Sequence, residues 1–81
     1  MESIMRAKMQ VKSVESTEYG ETLRMNPVCG NNPFPADGVD EDNTYSKFTP
    51  SGSLELFVSN PALAGRIKPG QKLYLDFTLA E

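Results

Sequence analysis

The stretch that decides the fold is residues 50–80, PSGSLELFVSNPALAGRIKPGQKLYLDFTLA. Leucine, valine and phenylalanine recur at every second position in residues 53–58 and again in residues 72–79. A period of two places alternate side chains on opposite faces of a β-strand, so each run has one apolar face for a common core. The stretch therefore predicts two strands.

The connection between these strands carries its own turn signals. Asn60, Pro61 and Gly65 are spaced as the N-cap, first residue and C-terminal stop of one helical turn near residues 61–64. The following Lys-Pro-Gly-Gln at 68–71 matches a type II turn, with proline second and glycine third. We expect this turn to deliver the final strand.

The N-terminal part of the chain predicts a hairpin. Residues 5–12 alternate apolar and polar side chains, residues 21–28 do the same, and Tyr19 and Gly20 mark the turn between them. Pro27 should end the second strand, because proline cannot donate to a strand ladder. The pattern predicts a single all-β domain over 1–81, a small barrel or two-layer sandwich of four to six short antiparallel strands. The expected core comprises Met9, Val11, Leu23, Met25, Leu54, Leu56, Val58, Leu73, Leu75 and Phe77.

Residues 29–43 predict a long polar loop, because glycine, proline, asparagine and aspartate dominate and no periodicity remains. Long loops in compact domains often carry function. Phe34, between two prolines, is a candidate exposed anchor, with the alternative that it folds back to cap one end of the barrel. The single cysteine, Cys29, is read as a packing or tolerated loop residue.

Size and charge limit the kinds of function. A chain of 81 residues buries a thin core, which favours association with a partner or with further copies of itself. The net charge of −3 argues against a general nucleic-acid binder, because non-specific affinity comes mostly from neutralising phosphates. There is no apolar run of membrane-spanning length and no signal-peptide pattern, which predicts a cytoplasmic protein without a membrane partner.

The sequence lacks the residue sets of common active sites. It contains no histidine, which argues against serine and cysteine triads and most zinc sites. The acidic cluster Asp37, Asp40, Glu41 and Asp42 fails the register of a calcium-binding EF-hand loop. We therefore expect neither an enzyme nor a protein that needs a metal or cofactor.

Two sets of outward side chains are candidate binding groups. Phe57 and Tyr74 have the parity opposite to the core, and if the last two strands pair they share one exposed surface for stacking or for a protein interface. The alternative is that Phe57 shields a second small core. The candidate anion-binding residues are basic: Arg6, Lys8, Lys12 and Arg66. On an edge strand, such lysines also simply discourage aggregation.

The run YSKFTPSGSLELFVSNPALAGRIKPGQKLYLDF, preceded by a strand such as KMQVKSVE, resembles a group of small, largely uncharacterised proteins of tailed bacteriophages. The likeness covers residues 6–78 and carries over no catalytic or binding residue. It implies a protein that works by binding.

The first expectation from this resemblance is a virion structural protein that decorates or cements a capsid. Such a protein would contact the major capsid protein or another virion protein, form a homo-oligomer, and reach the virion from the host cytoplasm. The interface candidates are Ile4, Phe34, Phe57 and Tyr74. The alternative is an intracellular accessory protein that binds a nucleotide signal or inhibits a host protein. A third reading is a small barrel that binds single-stranded nucleic acid.

Overall fold

The computed structural model describes residues 3–29, 41–47 and 49–81. They form four β-strands and one short 3-10 helix: β1 (Met5–Thr17), β2 (Gly20–Pro27), β3 (Leu54–Val58), the 3-10 helix (Pro61–Leu63) and β4 (Lys72–Phe77). The all-β prediction is confirmed, with four antiparallel strands and the expected helical turn. Phe34 and most of the predicted loop at 29–43 lie outside the described residues.

The four strands form one sheet in the order β3-β2-β1-β4, and every neighbouring pair is antiparallel. The sheet curls into half of a barrel. β3 and β4, which are next to each other in sequence, therefore lie at opposite edges of the sheet. The inner face of the curl holds the core and the outer face carries most of the charged side chains.

The hairpin of β1 and β2 is confirmed, with Pro27 at the end of β2; its turn is Glu18 and Tyr19, one residue earlier than predicted, and Gly20 already begins β2. β1 is longer than the alternation of residues 5–12 predicts, because a β-bulge between Val11 and Ser13 shifts its register. A bulge inserts one extra residue and increases the local curl of the strand. It keeps both Val11 and Val14 opposite apolar residues of β2, and so extends the inner face beyond residue 12.

The buried core lies on the two central strands. Its members share the inner face of β1 and β2: Ala7, Met9, Val11, Leu23 and Met25. Partly buried side chains of the edge strands and connections pack against them: Val14, Tyr45, Leu54, Val58, Ile67, Leu73 and Leu75. The core prediction is wrong for Leu56 and Phe77, which are 49% and 42% exposed. Both point to the inner face, but they lie on edge strands that no further strand of the described sheet covers.

The connection from β3 to β4 follows its turn signals. The Asn60 side chain accepts a hydrogen bond from Ala62 N–H at 3.0 Å, as an N-cap does. Gln71 N–H donates to the Lys68 carbonyl at 3.2 Å, and Gly70 has a φ of 90°, as a type II turn requires at its third position. These turns let the connection span the sheet from one edge to the other.

Candidate interaction surface

One end of the sheet carries exposed apolar side chains. Met5 and Phe77 are exposed on the inner face, and Ile4 and Leu79, which flank β1 and β4 in the chain, are 64% and 67% exposed. Met5 and Phe77 are direct partners in the ladder of β1 and β4, and Ile4 N–H donates to the Phe77 carbonyl at 2.7 Å. We call these four residues the open apolar end. Large apolar side chains grouped in this way are typical of contact sites for another protein.

A groove of about 320 Å³ adjoins the open apolar end. Its lining combines apolar side chains with charged and hydroxyl groups: Ser3, Ile4, Met5, Arg6, Glu41, Thr44 and Asp76. The combination resembles the apolar centre and polar rim of a protein interface.

The outer face behind this end is held by ion pairs. The Arg6 guanidinium donates to both carboxylate oxygens of Asp76, at 2.7 and 3.3 Å, and lies 4.5 Å from the centre of the Tyr74 ring. The Tyr74 hydroxyl donates to Asp42 at 3.2 Å. Two-point contact with a carboxylate and stacking on an aromatic ring are the interactions to which a planar guanidinium is suited. The network joins β1, β4 and the segment 41–47.

The Arg6–Asp76 pair shifts the pKa of both groups. The hydrogen bond from Arg6 lowers the pKa of Asp76, and the same bond raises the pKa of Arg6. Each shift favours the charged form, because the partner stabilises the charge. Both groups are exposed, so the pair has a structural role of limited strength.

Lys8 is 7% exposed and almost fully enclosed. Its ammonium lies 3.5 Å from an Asp42 carboxylate oxygen and 5.9 Å from the Tyr74 ring centre. Asn43 is fully buried beside it: its side-chain carbonyl accepts from Lys8 N–H at 2.9 Å and its amide donates to the Val28 carbonyl at 2.7 Å. Asn43 thus supplies hydrogen bonds at the place where β2 ends beside β1.

The two predicted aromatic anchors do not come together. Phe57 and Tyr74 are both half exposed on the outer face, but β3 and β4 do not pair, and the two side chains lie at opposite edges of the sheet. They were expected to share one exposed surface only if β3 and β4 paired, so they do not share one. Phe57 lies over the hairpin instead, close to Gly20. A Cβ added at Gly20 would lie 2.8 Å from the tip of the Phe57 ring. Ile4 lies in the open apolar end, and Phe34 lies outside the described residues.

The candidate anion-binding residues are distributed over different environments. Arg6 and Lys8 are both in ion pairs with carboxylates. Lys12 is exposed at the bulge of β1, and Arg66 is exposed in the connection between β3 and β4. The four cations do not form one continuous strip of unpaired charge.

The part of the chain that the structure describes has neither a grouped set of metal ligands nor a membrane-spanning helix. No three histidine, cysteine, aspartate or glutamate side chains of that part of the chain are grouped so as to hold a metal ion. No helix within it has the length and apolar character needed to cross a bilayer.

Comparisons with protein-family models, with curated proteins and with solved structures find no match.

Sequence reasoning did not identify Asn43, Asp42 or Tyr45 as structural residues. Asp42 and Asn43 lie at the end of a polar stretch without periodicity and Tyr45 follows it, and the partners of Asp42 and Asn43, Lys8 and Tyr74, are more than thirty positions away in the chain. A local pattern carries no information on such long-range side-chain contacts. A weak signal was the lysine-bearing strand itself, because a lysine within an otherwise apolar sheet requires a carboxylate partner once it is covered.

Proposed function

We propose that this protein is a non-enzymatic structural component of a bacteriophage particle, a decoration or cement protein that binds the major capsid protein or another virion protein. The observation that carries the proposal is the open apolar end. Ile4, Met5, Phe77 and Leu79 are large apolar side chains that stay exposed at one end of the sheet, and a chain of this size buries only a small core. The resemblance to small phage proteins supplies the class of partner.

The geometry favours a protein partner over a small ligand. Ile4 and Met5 line the groove together with polar and charged groups, and burying the exposed apolar side chains of this end stabilises a complex mainly through the apolar area removed from water. The outer-face network of Arg6, Asp76 and Tyr74 holds β1 and β4 together behind it. A docking surface supported in this way needs little reorganisation on binding, which favours affinity.

The alternative roles receive less support from the same residues. A nucleotide site needs cations that are available to phosphate, whereas Arg6 and Lys8 already contact Asp76 and Asp42. A single-stranded nucleic-acid site needs aromatic rings on one surface, whereas Phe57 and Tyr74 lie at opposite sheet edges and Arg6 stacks on the Tyr74 ring. The binding of a protein is therefore the function we place first.

Mass spectrometry of purified phage particles tests the proposal. We expect this chain in mature particles, in a fixed ratio to the major capsid protein. Particles assembled with the variant Ile4→Asp/Leu79→Asp should lose it, because both substitutions place charge on the docking surface. Tyr19→Asp is the matched control, since Tyr19 is exposed in the hairpin turn, away from the open apolar end. Absence of the unmodified chain from mature particles would overturn the proposal.

A further inference from the structure

β4 is an edge strand whose outer side has no strand partner in the described sheet. Proteins usually protect such edges with proline, with a bulge, with very short strands or with charged side chains, above all lysine. β4 carries Lys72 and Asp76, but these charges are opposite in sign and near opposite ends of the strand, so a second antiparallel copy can pair them. β4 has six residues, Lys72–Phe77, contains no proline, and pairs with β1 over its whole length without a shift of register. The edge is therefore suited to accept another strand.

The hydrogen bonds of β1 establish which backbone groups of β4 point to the open edge of the sheet. Arg6 N–H and Lys8 N–H donate to Thr44 and Asn43, on the side of β1 away from β4. The backbone groups of the odd-numbered residues of β1 therefore point to β4, as Val11 N–H does when it donates to the Gln71 carbonyl. Their ladder partners are the odd-numbered residues of β4. Backbone N–H and C=O groups of successive residues point to opposite sides of a strand. Those of Lys72, Tyr74 and Asp76 therefore point away from β1, to the open edge.

This edge is complementary to itself. When two copies of β4 run antiparallel with Tyr74 opposite Tyr74, the outward backbone groups of both strands face each other, as a hydrogen-bonded pair requires. In that register, Lys72 of each copy lies opposite Asp76 of the other, which gives two pairs of opposite charge. Leu73 lies opposite Leu75 on the inner face. Each of these cross-strand pairs stabilises an antiparallel ladder.

We infer that the chain forms a two-fold symmetric dimer in which the β4 edges pair antiparallel about Tyr74. The two half-barrels then form one eight-stranded sheet, with both apolar faces on the same side. A two-fold contact uses the same patch on both copies, and this arrangement closes after two chains. The inference is independent of the proposed virion role, because it needs no other protein.

The other edge of the sheet lacks this complementarity. In β3, the backbone groups of Glu55 and Phe57 point to the open edge, because they alternate with the groups that bond to β2. Neither residue would lie opposite a residue of opposite charge on a second copy of the same strand. A register centred on Glu55 would place two carboxylates opposite each other, which destabilises a ladder. The charge pattern therefore selects the edge of β4.

Sedimentation analysis of the purified chain is the first test. We expect a reversible equilibrium between the 8.9 kDa chain and a species of twice that mass. Lys72→Glu should raise the dissociation constant at least about tenfold, because it replaces two attractive cross-strand pairs by two repulsive ones. Lys68→Glu is the matched control: it makes the same charge change in the turn before β4 and should leave the constant unchanged.

Mixing two variants tests the register. Lys72→Glu and Asp76→Lys should each associate poorly alone, but a mixture of the two restores both complementary pairs and should form a heterodimer. Circular dichroism checks that Asp76→Lys is folded, because this substitution also removes the partner of Arg6. A heterodimer supports the inference, and folded variants that do not associate on mixing would overturn the register.

Amide hydrogen exchange of the unmodified chain gives a test that needs no variant. The amides of Tyr74 and Asp76 should be protected at high protein concentration and lose that protection on dilution. Those of Leu73 and Leu75 should stay protected at both concentrations, since they face β1. A chain that remains monomeric at every concentration, or exchange at Tyr74 and Asp76 that is independent of concentration, would overturn the inference.

Discussion

The Asn43 side chain accepts a hydrogen bond from the backbone N–H of Lys8, 2.9 Å away, at the point where β2 no longer accompanies β1. The same side chain donates to the Val28 carbonyl. A single amide thus satisfies a buried donor and a partly buried acceptor that the end of β2 would otherwise leave without partners. It also fixes the segment 41–47 against the sheet, and with it Asp42, the partner of Lys8.

Asn43→Ala should lower the free energy of unfolding by about 2–4 kcal/mol, because it leaves the buried Lys8 N–H unsatisfied, at about 1–3 kcal/mol, and the partly buried Val28 carbonyl, at about 1 kcal/mol. Domains of this size have total stabilities of about 4–12 kcal/mol, so the loss is large. Urea denaturation measures it. Asn26→Ala is the control, because Asn26 is exposed on β2 and should change the stability little. Equal effects of the two substitutions would contradict the role given to Asn43.

Tyr45→Phe should leave the stability unchanged at neutral pH or raise it by up to about 1 kcal/mol. The Tyr45 hydroxyl is buried and has no hydrogen-bond partner among the described residues, and removing an unsatisfied polar group removes its desolvation cost. Thermal melting measures the change. Tyr19→Phe, in the exposed hairpin turn, is the control and should have no effect. A clear loss of stability in Tyr45→Phe would reveal a partner for this hydroxyl.

The same substitution has an expected signature in alkaline solution. Burial raises the pKa of Tyr45 above its ordinary value of 10.0. Since the unfolded chain then ionises at lower pH than the folded chain, the folded state loses relative stability as the pH rises past 10. The Tyr45→Phe variant should lose less stability over this pH range, because it has no hydroxyl to ionise at this position. Melting curves of both proteins across this pH range measure it, and parallel losses would show that Tyr45 does not contribute.

Gly20→Ala should destabilise the protein by about 1–3 kcal/mol more than Gly52→Ala, the usual cost of forcing extra atoms into a packed site. Both glycines have nearly the same φ, 154° and 153°, so the backbone cost is matched. A Cβ at Gly20 would lie 2.5 Å from the Val58 carbonyl oxygen and 2.8 Å from the Phe57 ring, whereas at Gly52 the nearest atom is 4.0 Å away. Chemical denaturation of the two variants gives the difference, and a difference of zero would contradict the close approach of β3 to the hairpin.

Asp76→Asn should lower the melting temperature at neutral pH and have no effect in strong acid. Because Arg6 lowers the pKa of Asp76 below its ordinary value of 3.8, the ion pair stabilises the fold above that pH. This stabilisation disappears as the pH falls through the lower folded-state pKa. Melting temperatures from pH 7 into acid, at protein concentrations where the chain is monomeric, measure the effect. Glu18→Gln, in the hairpin turn, is the control, and a difference that persists in strong acid would contradict the assignment to the ion pair.

The strands and turns of this protein were largely predictable from sequence, because they depend on local chemistry. The period of two gives all four strands, Tyr19 and Gly20 give the hairpin, and Asn60 and Gly70 give the turns of the connection. Each signal acts over a few residues, where backbone preference and side-chain direction are determined by neighbours in the chain. The bulge after Val11 was missed, because the alternation of residues 5–12 does not show where a strand inserts an extra residue.

The arrangement of those strands was decided only by the tertiary structure. Alternation shows that Leu56 and Phe77 belong to an inner face, but not that their strands lie at opposite edges, where they stay exposed. Nor does it show that Lys8, Asp42 and Tyr74 meet, or that Asn43 completes the hydrogen bonds of β1. These contacts join residues far apart in the chain, and their free energy depends on the curl and order of the whole sheet. The sequence by itself therefore determined which segments become strands, and the folded sheet determined which faces and edges remain open for a partner.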